Sequence, residues 1–381
     1  MRLNLWLSAL GASMTILLAT GATAQEIKVG LVTSATGPNA AVGLPYKLAA
    51  EIFPDTLGGL PVKYFVLDDG SDVNNAVKNA RKLVEENKVD VLIGTSSPPG
   101  STAMFEVALS TGTPQLTLAP VGMPPDKQPW IFNVPQPVPL IVSAIVEDLK
   151  KKGTKTISFI GFSDIFGDLV INALRPQAEA AGIKILSEER FNRTDTSATA
   201  QAIKTVAAGP ESVVIGAAAT PATLPHLALK DQGFTGQIYH THGAVSRPVL
   251  QAGGKAMEGT LAPTGPIVVA NELPDDNPIK KVSLDLTAKY EAKHGKGTIN
   301  PFAGYAWDAM LLLNAAVPDA AAKAKPGTPE FRAALRDSLQ SGREVVGTNG
   351  VYKYTEKDHY GLDTRARVLV TVKDGAWRLA K

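Results

Sequence analysis

One stretch constrains this chain more than any other. From Asp90 to Val121 the sequence DVLIGTSSPPGSTAMFEVALSTGTPQLTLAPV reads as a strand, a polar turn, a helix and a second strand. The apolar, β-branched run VLIG suits a parallel strand buried on both faces, and TSSPPGS supplies turn residues and hydroxyls at its carboxyl end. Ser101 to Ser110 suits a short helix, after which the turn Gly112-Thr113-Pro114 leads into the strand QLTLA. A crossover between parallel strands is almost always right-handed, and ligands of open α/β sheets lie beyond the carboxyl ends of the strands. Thr95 to Ser97 and Ala119 to Val121 therefore fall on one rim, a site for a small polar ligand.

The flanking sequence keeps the same rhythm. EIKVGLV is a first strand, and the loop TSATGPNAAVG, with Thr36, faces the same rim. Leu44 to Phe53 continues as a helix and Val62 to Leu67 as a strand ending in Asp68 and Asp69. Adjacent strand residues point to opposite faces, so this acid pair suits a solvated or helix-capping role better than a metal or catalytic one. Asp72 is a natural N-cap for the amphipathic helix VNNAVKNARKLVEEN.

The proline-punctuated KQPWIFNVPQPVPL marks a first crossing into a second α/β series. There the strands TISFIGF, KILSEERF, SVVIGAAA and QIYHTHGA alternate with helices, and SDIFGD (with Phe166) and Ala217 to Thr220 (with Ala218) are rim loops. Gly259 to Val269 runs back. Pro278 to His294 and a helix from Phe302 to Ala316 return to the first lobe, and the alternating tail, with a turn at Asp374-Gly375, is assigned to the second. The expected fold class is α/β, two doubly wound lobes joined by more than one crossing, with a cleft suited to closing on a ligand. Residues 25–138 with 263–338 make the N-terminal lobe, and 139–262 with 339–381 the C-terminal lobe.

Composition narrows the function. The net charge of +2 and the lack of a long basic run argue against nucleic acid as a partner, and Lys150 to Lys152 reads as a solvated helix end. Residues 1–24, with Arg2, an apolar stretch from Leu5 to Ala19 and Ala22-Thr23-Ala24 before Gln25, have the layout of a cleavable secretory signal. Cysteine is absent, so the chain has no disulfide, thiolate metal site or cysteine nucleophile, and no residue to carry an N-terminal lipid. The expected address is the periplasm.

No nucleophile elbow, Walker A loop or dinucleotide fingerprint survives inspection; Ile165 stands in GFSDI where an elbow needs glycine. An enzyme is the weaker class. His240 and His242, two apart on an expected strand, are the one pattern a metal would use, but no Cys or carboxylate accompanies them in sequence. Neither metal nor cofactor is expected.

IKVGLVTSATGP, VLDDGSDVNNAVKNARKLVEENKVDVLIG, GTPQLTLAP, SDIFGD, GGKAMEG and FAGYAWDAMLLLNAA, in that order and spacing, carry a resemblance over nearly all of the mature chain. The chain resembles the periplasmic solute-binding proteins of ABC importers of the leucine/isoleucine/valine-binding type. The resemblance implies a type I periplasmic binding fold, three interlobe crossings, no catalysis, a ligand held between the lobes, and an inner-membrane ABC permease as partner of a monomer. It also implies that Ser97 or Ser96 and main-chain groups of Ala119, Pro120 and Val121 hold the ligand carboxylate; capping the next helix is the alternative for both serines.

This chain departs from the family at three positions. His242, in His240-Thr241-His242-Gly243, stands where amino-acid binders have an acid for the ligand ammonium; Val121 replaces a hydroxyl and Phe166 a tyrosine. A cleft without an ammonium acceptor favours a carboxylate lacking an amine, with Phe166 and Tyr305 or Trp307 packing on a ring, or, for the latter two, filling the core. The expectation is a small carboxylate, aromatic or otherwise non-amino. The alternatives are a branched-chain amino acid, a ligand-sensing receptor subunit and a secreted α/β hydrolase.

Overall fold

The computed structural model describes residues 25–123 and 128–380, so the expected signal segment lies outside the described residues. Strands β1 (Ile27–Thr33), β2 (Thr56–Leu57), β3 (Leu60–Asp68), β4 (Val91–Ile93), β5 (Gln115–Thr117) and β6 (Ile131–Asn133) form one sheet, ordered β2-β3-β1-β4-β5-β6. All but the short hairpin strand β2 are parallel to their neighbours. β1 and β4, covered on both faces, are buried almost throughout, whereas β3 alternates between partly buried and exposed positions.

The second sheet contains β7 (Thr156–Phe162), β8 (Lys184–Phe191), β9 (Ser212–Gly216), β10 (Gln237–His240) and β11 (Leu261–Thr264), all parallel. A separate hairpin, β12 (Val345–Val346) and β13 (Val351–Tyr352), precedes β14 (Val368–Lys373) and β15 (Ala376–Leu379), which close this sheet antiparallel in the order β15-β14-β11-β10-β9-β7-β8. Each sheet has its own apolar core, so the fold is two doubly wound α/β lobes.

The chain passes between lobes three times: after β6, after β11, and before β14. The second passage packs at Gly265 against the turn between β12 and β13, where a Cβ would lie 1.8 Å from Asn349 Oδ1, so only glycine fits. The tail divides differently from the expectation that placed all of 339–381 in the second lobe. Tyr352 and Tyr354 belong to the first core, and Tyr352 donates to Asp308 Oδ2 (2.9 Å) and to the Val134 carbonyl (3.0 Å). Only from β14 onward does the tail join the second sheet.

Both sheets wind outward from a central strand. In the first, β3 lies on one side of β1 and β4 on the other; in the second, β8 and β9 flank β7. Loops leaving the carboxyl ends on either side of such a switch point part to leave a crevice. The loops after β1 and β4 in one lobe, and after β7, β8 and β9 in the other, build the facing walls of the cleft.

Candidate ligand site between the lobes

A narrow cavity enclosing about 350 Å³ of atom-free space, part of it open to solvent, lies where the two crevices meet. Of the expected site residues, Ser96, Ala119, Pro120, Phe166, Ala218, His242 and Tyr305 line it. Thr36, Ser97 and Val121 do not. Thr36 is turned to Asp68, donating from Oγ1 at 2.8 Å. Val121 packs with Phe105, Ala108 and Ile131. Ser97 caps a helix, its Oγ accepting from Gly100 N at 3.3 Å. That helix, Pro98–Ala103, is followed by a second, Phe105–Thr111, where the sequence suggested one.

Counting hydrogens removes the expected first-lobe anchor. Thr33 Oγ1 donates to the Gly43 carbonyl (2.7 Å), so in its 3.0 Å contact with Ser96 the serine hydroxyl is the donor; Ser96 Oγ also accepts from Ser34 N (2.9 Å). No Ser96 hydrogen is left for a carboxylate. On the neighbouring rim Pro120 has no N–H, and Val121 N donates to Asn133 Oδ1 (3.3 Å). Ala119 is the one residue of Ala119 to Val121 whose N–H that rim can offer. The rest of this wall is largely apolar and aromatic, including Val42, Tyr46, Leu118, Phe302 and Tyr305. The hydroxyls of Tyr46 and Tyr305 are taken by the Leu118 carbonyl and Gln136.

The second lobe supplies the charge. Arg193, two residues beyond β8, donates from Nε to Asp164 Oδ2 at 2.5 Å and lies over the Phe162 ring, 4.1 Å from its centroid. Its Nη2 is enclosed and has no acceptor among the described residues. Asp164 is fully committed, its Oδ1 accepting from Phe166 N (2.9 Å) and Gly167 N (3.3 Å) at the start of the helix Ile165–Ala180. Among the described residues, no Asp or Glu lines the cavity. Sequence reading missed Arg193; its signal was an arginine just past the end of KILSEERF, on the strand beside the switch point.

His242 is 3% exposed, meets Phe166 edge-on with centroids 6.2 Å apart, and has an unpartnered, enclosed Nδ1. Burial lowers its pKa to about 4, so at neutral pH the ring is uncharged and offers one donor and one acceptor. His240 and His242 do not share a strand face. β10 stops at His240, and His242 opens a 3₁₀ turn. His240 instead contacts His226 (Nε2 to Nδ1, 3.0 Å), while His226 Nε2 lies 2.8 Å from the Ala256 carbonyl. That carbonyl requires a proton on His226 Nε2, so His240 Nε2 is the donor and its Nδ1 keeps an unpartnered lone pair. Among the described residues no group of three or more His, Cys, Asp or Glu is placed to hold a metal. Asp69, expected to be solvated or capping, is 2% exposed and holds the rim by accepting from Thr95 Oγ1 and Ser71 N.

Residues 26–376 match the family model described as periplasmic binding protein. The chain is 43% identical to an extracellular ligand-binding receptor from Rhodopseudomonas palustris HaA2, whose crystal structure matches with a TM-score of 0.92 over 93% of this chain and 100% of that one. A solute-binding protein of an ABC transporter from R. palustris, solved in complex with benzoate, is 19% identical and shares the fold, with a TM-score of 0.76 over 92% of this chain and 94% of that one. A curated relative from Pseudomonas aeruginosa, named amino acid binding protein, is 26% identical over 267 residues, 65% of this chain and 68% of its own. This chain belongs to the periplasmic binding protein family, with the type I fold of the leucine/isoleucine/valine-binding proteins.

Proposed function

We propose that this protein captures a small aromatic carboxylate between its lobes in the periplasm and delivers it to the permease of an ABC importer. The observation that carries the reading is Arg193, a guanidinium fixed by Asp164 and Phe162, with an enclosed Nη2 that lacks an acceptor. An enclosed donor without a partner is costly, and a ligand carboxylate would meet it with a charge-assisted bond. The facing wall of Tyr46, Phe302 and Tyr305, with Phe166 beside His242, suits a flat ring in a narrow slot. The relative solved with benzoate supports this ligand class.

One observation favours an amino acid instead, the name of the P. aeruginosa relative. That reading needs a partner for the ligand ammonium, and both Asp164 oxygens are engaged elsewhere. Calorimetric titration with benzoate and with leucine separates the two. Wild type is expected to bind benzoate, and His242→Glu to weaken it by about 100-fold or more, because like charges in a poorly solvated cleft repel strongly. His242→Gln, which keeps a donor and approximate size, should lose far less. Tight leucine binding with no response to benzoate would sink the ligand assignment and leave the family intact.

A further inference from the structure

We infer that Ala219 is a strained residue whose methyl group serves to close the cleft, an inference that rests on the ligand being trapped between the lobes. Ala219 follows β9 with φ 57° and ψ −165°, a conformation that residues with a Cβ avoid and glycine accepts. The other described non-glycine residues at positive φ are Ser71, Lys88 and Asp374, all polar or charged and at least partly exposed. Ala219 is apolar and 1% exposed.

Bonds inside the second lobe hold this conformation whether the cleft is open or closed. Ala219 N donates to the Gly243 carbonyl (2.9 Å), and its own carbonyl accepts from Ala222 N (3.1 Å). The methyl group, however, belongs to the apolar cluster of the first lobe, with Val42, Tyr46 and Phe302. Its neighbours also face that lobe, Ala218 across the ligand cavity and Thr220 across a groove lined by Pro38, Ala41 and Leu44. Glycine would keep both hydrogen bonds and relieve the strain, so the second lobe alone is better served by glycine. Alanine gains only when the lobes meet.

Ala219→Gly should therefore move stability and closure in opposite directions. In urea unfolding without ligand, the folding equilibrium constant should rise about 3- to 30-fold, the strain relieved less the added chain entropy of glycine. Loss of one buried methyl should weaken benzoate binding about 4-fold. Closure can be read without any ligand, because the chain has no cysteine and the exposed pair Arg81→Cys and Ile203→Cys takes one spin label on each lobe. The population at short interlobe distance should shrink in the Ala219→Gly background. A folding constant that fails to rise removes the strain, an unchanged distance distribution removes the closing contact, and either overturns the inference. Failure of benzoate to bind wild type would overturn the ligand proposal instead, since the two ligand-free measurements decide this one.

Discussion

In the cleft, side chains whose hydrogen bonds are complete stand beside side chains with one still open, and the difference predicts which substitutions matter for binding. Arg193→Gln removes the one cation that, among the described residues, lines the cavity and leaves Asp164 without its partner, so benzoate affinity should fall by about 2 to 4 kcal/mol, measured by calorimetry. Ser97→Ala removes only a cap bond; it should cost about 1 kcal/mol in urea unfolding and change benzoate affinity less than about twofold. Sequence held both readings of Ser97, and the proline at position 98, a favoured first helical residue, was the mark of the cap. The saturation of Ser96 was not legible, because it depends on Thr33, 63 residues away, and on the Gly43 carbonyl beyond it.

Among the elements, β7 and β8 run from end to end as their sequences suggested: β7 is apolar and buried between parallel β8 and β9, and β8, with its charged residues, is the half-buried edge strand paired along β7. β10 did not: its last pair is His240 with Ile215, and β9 itself ends one residue later at Gly216, so His242 lies beyond the ladder. His226, His240 and His242 are all buried in the second lobe, the first two against each other, and burial lowers the pKa of each, those of His226 and His242 to about 4. Between about pH 4 and 6.5 the unfolded chain binds the protons these rings refuse, so they make stability fall as pH falls through that window. Asp308, raised by burial to about 6, works in the opposite sense, because the folded state holds its proton there. Comparing wild type with His242→Gln isolates one ring. Between pH 7 and 5, wild type should lose about 2 kcal/mol more than the variant in urea unfolding. A gap that does not change with pH would show that His242 titrates normally in the fold.

For the whole molecule, the two-lobe plan was legible because strand and helix alternate twice over with a proline-rich passage between, whereas the division of the tail was not, since VYKY alternates like any strand until Tyr352 is seen bonded to Asp308. The three passages make rotation about a shared hinge the natural motion, with Gly265 packed against Asn349 and Gln136 donating to the Ala366 carbonyl at 2.7 Å. Tyr305 ties the cavity wall to that hinge through Gln136. A ligand shifts such an equilibrium only by binding one state better than the other. A carboxylate resting on Ala119 and the aromatic wall alone would bind open and closed forms almost equally, while Arg193 and His242 reach it only in the closed form. Small-angle scattering should therefore show a smaller radius of gyration when wild type is saturated with benzoate. Arg193→Gln, saturated at a higher concentration to offset its weaker binding, should compact less, because the second-lobe contact that favours closure is gone. Equal compaction of both proteins at saturation would mean that closure is driven from the first lobe, and would move the anchoring role from Arg193 to the aromatic wall.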